Sequence, residues 1–244
     1  MRIDLSWIPE HESSTVASDL AEHVPYTWAL GLYIDRLKAY EPHLCKMIRQ
    51  AFRQQELCIS NAPSAAPAVN SDSAAWTRWH DAHAYYYQSH YYGPEICAES
   101  VLYQSFCLVD NFARHLLRLR YRRLTDLHLG LRLNFDGQVD PEGVHLADLL
   151  FAGRNSAAHF DEWVELDAPS SQQKHSWDVL QRFGYNMPLG NTTVIFDLFQ
   201  RVSKESPEVF LKRMRGIGID ATRTAIIQKS SVRSPQEVQA RDAR

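Results

Sequence analysis

No stretch of the 244-residue chain reaches the roughly 18 consecutive apolar residues that a membrane-spanning helix requires, which excludes a spanning helix. Cysteine is sparse. The four residues, Cys45, Cys58, Cys97 and Cys107, form no CxxC pair and fall at apolar helical positions or helix ends, as reduced thiols of a cytoplasmic protein do. An excess of basic charge is missing too. A formal net charge of −3 argues against a general nucleic-acid coat, so any RNA contact must come from local patches. Residues Met1 to Glu12 lack a basic region followed by an apolar core, and no secretory signal is expected there. The Gly216-Ile217-Gly218 run lacks the third glycine and the Lys-Ser/Thr ending of a phosphate-binding loop. No internal repeat is present.

What remains is 45% hydrophobic and 23% charged, enough to bury a sizeable core as one large domain or as one domain with an appendage. Apolar residues recur at helical spacing through most of the chain. The fold class expected is all-α: a bundle of about six to eight helices with one short extended excursion near 126–138. A long helix is predicted from Tyr26 to Leu57, with a break or kink at Pro42. Residues 59–73 are small, polar and proline-rich, the clearest mobile linker. Ala74 to Tyr92 then packs two Trp, five Tyr and three His into nineteen residues. A helix covering the bundle with large amphipathic side chains explains this segment best. The strongest helix starts at Pro94 and runs through Val101, Leu102, Phe106, Val109, Phe112 and Leu116. Leu127, Leu129, Leu131 and Leu133 alternate with polar residues before an Asp136-Gly137 turn, as a hairpin or extended crossover would. Helix is expected to restart at Val144. Further helices are expected over Ser170–Tyr185, Thr192–Ser203 and Pro207–Arg215, with a disordered tail over 229–244. Residues 1–92 read as an N-terminal helical layer and 93–228 as the main bundle, the two forming one unit.

Within the restarted helix, residues 154–159 read Arg-Asn-Ser-Ala-Ala-His. Asn155 and His159 lie four apart and share a helical face, whereas Arg154 sits about 100° to one side and must swing its long stem toward them. A break at Gly153, or two helices facing across a dimer axis, would ease that reach. An Arg, a polar residue, three further positions and a His on a late helix of an all-helical domain resemble the signature of the HEPN superfamily. The resemblance covers those six residues and their helical setting from about Pro94 to Gly190. It implies a dimeric helical bundle and, for many members, a metal-independent ribonuclease used as a toxin or in antiviral defence, with RNA as substrate, an antitoxin protein as a candidate partner and no cofactor. Carried over by position, Arg154, Asn155 and His159 are the catalytic candidates. Asp110, on the preceding helix, is the candidate to orient Arg154 or His159; an exposed Asp110, or one paired with Arg114, is the alternative.

Those residue types suit RNA cleavage. The 2′-hydroxyl is the nucleophile, imidazole carries protons near neutral pH, and a guanidinium fork grips the scissile phosphate. Arg114, His115, Arg118, Arg120, Arg122 and Arg123 form the main basic patch, with Arg114, Arg118, Arg122 and Arg123 the candidates for an RNA backbone, and Lys212, Arg213 and Arg215 form a smaller one; a solvated helix face explains either. Two other function classes stay open. One is a catalytically silent helical module that binds a partner or a nucleotide-derived signal. The other is a metal-dependent enzyme built on His80, Asp81, His83 and His90.

Overall fold

The computed structural model describes residues 24–117, 128–158, 171–185 and 193–232. They form a helical bundle with one small antiparallel hairpin, in the order α1 (Val24–Ser60), α2 (Ser73–Tyr86), a π-helical turn (Tyr87–Tyr91), α3 (Gly93–Leu117), β1 (Arg132–Leu133), β2 (Val144–His145), α4 (Leu146–Ala158), α5 (Ser171–Phe183), α6 (Thr193–Ser203) and α7 (Pro207–Val232). The all-α expectation holds. No helix among the described residues is long and apolar enough to cross a membrane.

The central helix is α3, which packs against α1, α4, α6 and α7. Its buried residues, among them Ala98, Val101, Leu102, Ser105, Val109 and Ala113, recur every three or four positions and lay down one apolar stripe. Residues of α1 share the same core as the rest of the bundle. Tyr33 is the junction: its ring stacks on Phe112 of α3 at 4.5 Å, and its hydroxyl donates to the Met214 carbonyl of α7 at 3.0 Å. Burial of that phenol suppresses its ionisation.

Several sequence expectations are corrected. Helix α1 continues through Pro42, whose missing N–H leaves one carbonyl of the preceding turn without its helical donor. Helix α7 likewise does not end at Arg215 but runs on to Val232, through both Gly216 and Gly218. Glycine weakens a helix by only about 1 kcal/mol, and packing on α1 and α3 outweighs that here. Gly218 is needed for the packing, since a Cβ there would lie 2.5 Å from Tyr33 Cδ1. Val144, expected in the motif helix, belongs instead to β2, opposite Leu133 of β1, and α4 begins two residues later. The aromatic helix α2 buries no residue and does not cover the bundle. Asp72 caps it by accepting from Ala75 N at 2.6 Å, and Trp79 Nε1 donates to the Ser64 carbonyl at 2.9 Å. Cys58 and Tyr86, 2.9 Å apart, join its end to α1.

The smaller basic cluster dissolves in the structure. Arg213 is buried, with Nη1 donating to the Arg201 and Val202 carbonyls at the end of α6 and Nη2 to Gly137 in the hairpin tip at 2.7 Å. Arg215 pairs with Glu41 of α1 at 3.1 Å. Gly137 has a φ of +70°, and a Cβ there would strike the Arg201 backbone, so only glycine lets the hairpin tip seat on α6.

Candidate functional site

Helix α4 is buried on nearly every side: Leu146, Ala147, Leu149, Leu150, Phe151 and Ala152 are all core residues. Into this apolar run the sequence inserts three buried polar residues, Asp148, Asn155 and Ser156. Each must find a partner or cost stability. Ser156 satisfies itself by donating to the Ala152 carbonyl one turn back at 2.8 Å. The other two organise polar sites at opposite ends of the helix.

At the C-terminal end, Asn155 is 1% exposed. Its Nδ2 donates to Ser176 Oγ of α5 at 2.9 Å, and its Oδ1 accepts from Arg154 Nη1 at 2.6 Å. The amide therefore fixes the guanidinium of its own neighbour, using α5 as anchor. Arg154 is partly exposed and lies 5.8 Å from the Tyr103 ring centroid and 5.9 Å from that of Phe106, both on α3. Its Nε is shielded from solvent and has no acceptor. Beside this constellation His175, adjacent to Ser176, sets its ring edge-on to Phe151 at 5.7 Å. Gly153 is not a break. The helix runs through it, and a Cβ there would lie 2.9 Å from Leu102 and 3.1 Å from Leu198, so glycine lets α4 press against α3 and α6 just before the motif.

His159 lies outside the described residues, as do Arg118, Arg122 and Arg123. Asp110 makes the local pair: both its oxygens are 2.7 Å from Arg114 Nε, one turn along α3. That pairing is the alternative weighed against an orienting role, and it commits Arg114 as well. Sequence reading missed Ser176, Tyr103 and Phe106. The last two stand three apart on α3, a helical neighbour spacing that marks a shared face but not what covers it. Among the described residues no three His, Cys, Asp or Glu side chains are grouped to hold a metal. His80 and His83 pack against Trp79 instead, His80 edge-to-face at 5.1 Å and His83 tilted at 4.1 Å between centroids. No protein-family model, curated protein or solved structure matches the chain.

Proposed function

We propose that this protein is an endoribonuclease of HEPN type, acting without a metal, in which Arg154 and His159 form the catalytic pair and Asn155 positions the arginine. The observation that carries the reading is the buried Asn155 amide, tied to Ser176 on one side and to the Arg154 guanidinium on the other. A side chain fixed in this way loses little entropy on meeting a phosphate, and its planar fork matches phosphoryl oxygens. Its shielded Nε, without an acceptor, adds a donor that an oxyanion would satisfy after a small rearrangement.

In the reaction, His159 takes the proton of the ribose 2′-hydroxyl or gives one to the departing 5′-oxygen, and Arg154 balances the charge that builds on phosphorus. The bond from phosphorus to the 5′-oxygen breaks as that from the 2′-oxygen forms, leaving a 2′,3′-cyclic phosphate and a 5′-hydroxyl. A homodimer would supply two such motifs to one cleft, and a toxin or defence role in the cytoplasm, with an antitoxin as partner, completes the reading. The test is RNA cleavage by the purified chain in excess EDTA beside Arg154→Ala and His159→Ala, each shown to be folded by circular dichroism. Cleavage by the parent alone, with cyclic-phosphate ends, supports the assignment. No cleavage of several RNA classes would leave the silent binding module as the better account.

A further inference from the structure

The third buried polar residue of α4 organises a different site, two turns before the motif. Asp148 is 2% exposed, and its Oδ2 lies 3.3 Å from His128 Nδ1 while its Oδ1 has no hydrogen-bond partner. Both line a cavity of about 380 Å³ between the hairpin and the first turn of α4, together with Arg132, Glu142, His145 and Arg182. Burial pushes the Asp148 carboxyl above its usual range, with the His128 hydrogen bond and nearby charges acting against that rise. A buried carboxylate oxygen without a partner costs stability unless something donates to it.

The rest of the cavity is held in place by the hairpin. Pairing of β1 with β2 sets Arg132 opposite His145. Arg132 Nε donates to His145 Nε2 at 3.0 Å, so that nitrogen carries a lone pair and the ring proton sits on Nδ1, which donates to the Gly130 carbonyl at 2.7 Å. These two bonds hold the His145 ring in one orientation. Its ring stacks on His128 with centroids 5.4 Å apart. Arg132 is further anchored by Nη1 donating to the Pro141 carbonyl at 2.7 Å. His128 adopts a φ of +51°, a strained conformation for a residue with a Cβ, and this backbone aims its ring across Asp148. With Nδ1 turned to the aspartate, His128 Nε2 is left for a ligand, and its side chain is 56% exposed.

We propose that this cavity binds a small phosphate ester rich in hydroxyl groups, a sugar phosphate or a nucleotide. The guanidiniums of Arg132 and Arg182 and the His128 Nε2 take the phosphate, and Asp148 Oδ1, shielded in the free protein, accepts from a hydroxyl after a small rearrangement. Arg132 Nη2, which is not used in holding the hairpin, the Arg182 guanidinium and an imidazole supply donors for the terminal oxygens of a phosphate monoester, and the volume suits a ligand of that size. Glu142 is exposed at the mouth, where water screens its repulsion. None of this depends on Arg154, Asn155 or His159, so it stands or falls apart from the ribonuclease reading.

Calorimetric titration of the full chain with inorganic phosphate, ribose 5-phosphate and ribose, with the imidazole NMR signals of His128 and His145 followed in parallel, tests the site. Ribose 5-phosphate is expected to bind one to one and to move both imidazole signals, with ribose alone silent. The exposed Arg182→Gln variant should weaken both phosphate ligands about tenfold, the size of one charge-assisted contact. Asp148→Asn, which keeps the volume, should weaken ribose 5-phosphate and leave inorganic phosphate unchanged. No saturable binding up to about 10 mM, or binding that ignores Arg182→Gln, would overturn the site. Equal response of the two phosphate ligands to Asp148→Asn would overturn the hydroxyl contact.

Discussion

Asn155 and Ser176 share a buried hydrogen bond of 2.9 Å across α4 and α5, and through it a residue of one helix fixes the guanidinium next door. Ser176→Ala removes the acceptor and leaves the amide underused in a dry interface. A stability loss of about 1–2 kcal/mol is expected from denaturant melts. On the ribonuclease reading, cleavage should fall further than that loss accounts for, by about tenfold, because Arg154 loses its fixed position. Cleavage at the parental rate by folded Ser176→Ala would remove the positioning role.

Two glycines in α7 should answer the same substitution with opposite signs. A Cβ added at Gly216 would meet only open space, so Gly216→Ala should gain about 0.5–1 kcal/mol from helix propensity. Gly218→Ala drives a methyl into Tyr33 and should lose about 1–3 kcal/mol. Thermal melts of the two variants beside the parent check the contrast.

Glu95 of α3 reaches the first turns of α6, where its Oε2 accepts from Phe196 N at 3.0 Å. Burial raises its pKa to about 7, with the Phe196 hydrogen bond acting against the rise and Asp197 and Glu99 adding to it. The folded chain therefore holds this proton where the unfolded chain has released it. Stability from this group is full below about pH 4.5 and declines as pH rises toward 7. Glu95→Gln, which keeps an acceptor for Phe196, should be more stable than the parent at pH 8 by about 1–2 kcal/mol and nearly equal to it at pH 4.5. Urea midpoints at the two pH values measure the difference.

Arg213 is a cation used as a clamp on carbonyls. Arg213→Met keeps the stem and removes the donors, stranding the Val202 and Gly137 carbonyls. A loss of about 2–4 kcal/mol is expected, together with faster amide exchange in the 133–144 hairpin. Unchanged exchange there would show that the hairpin is held by other contacts.

Much of the bundle was legible because helical periodicity is local. The stripe of α3 from Ala98 to Ala113 can be read from spacing alone, as can the inward face of α4. The endings of helices were less legible: Gly216 and Gly218 look like a stop until Tyr33, nearly two hundred positions away, is found against the second. Arg213 shows the same limit, since nothing near it in sequence announces the α6 end or the hairpin tip that it holds. Of the motif, the sequence supplied Arg154 and Asn155 but not Ser176, because a side-chain bond between two helices leaves no spacing rule. The cavity between the hairpin and α4 left a partial trace. The alternation of Leu129, Leu131 and Leu133 with His128, Gly130 and Arg132 marks a polar face, but Val144 and His145 run into an apolar helix and hide the partner strand.

Helix α2 carries Trp76 and Trp79 on a segment without a single buried residue. Indole emission from this chain thus reports at least two environments at once, an arm held at Ser64 and Tyr86 and a core in which Trp177 packs. Fluorescence traces of unfolding would begin before the ellipticity of the bundle changes, and a single midpoint drawn from them would describe neither part.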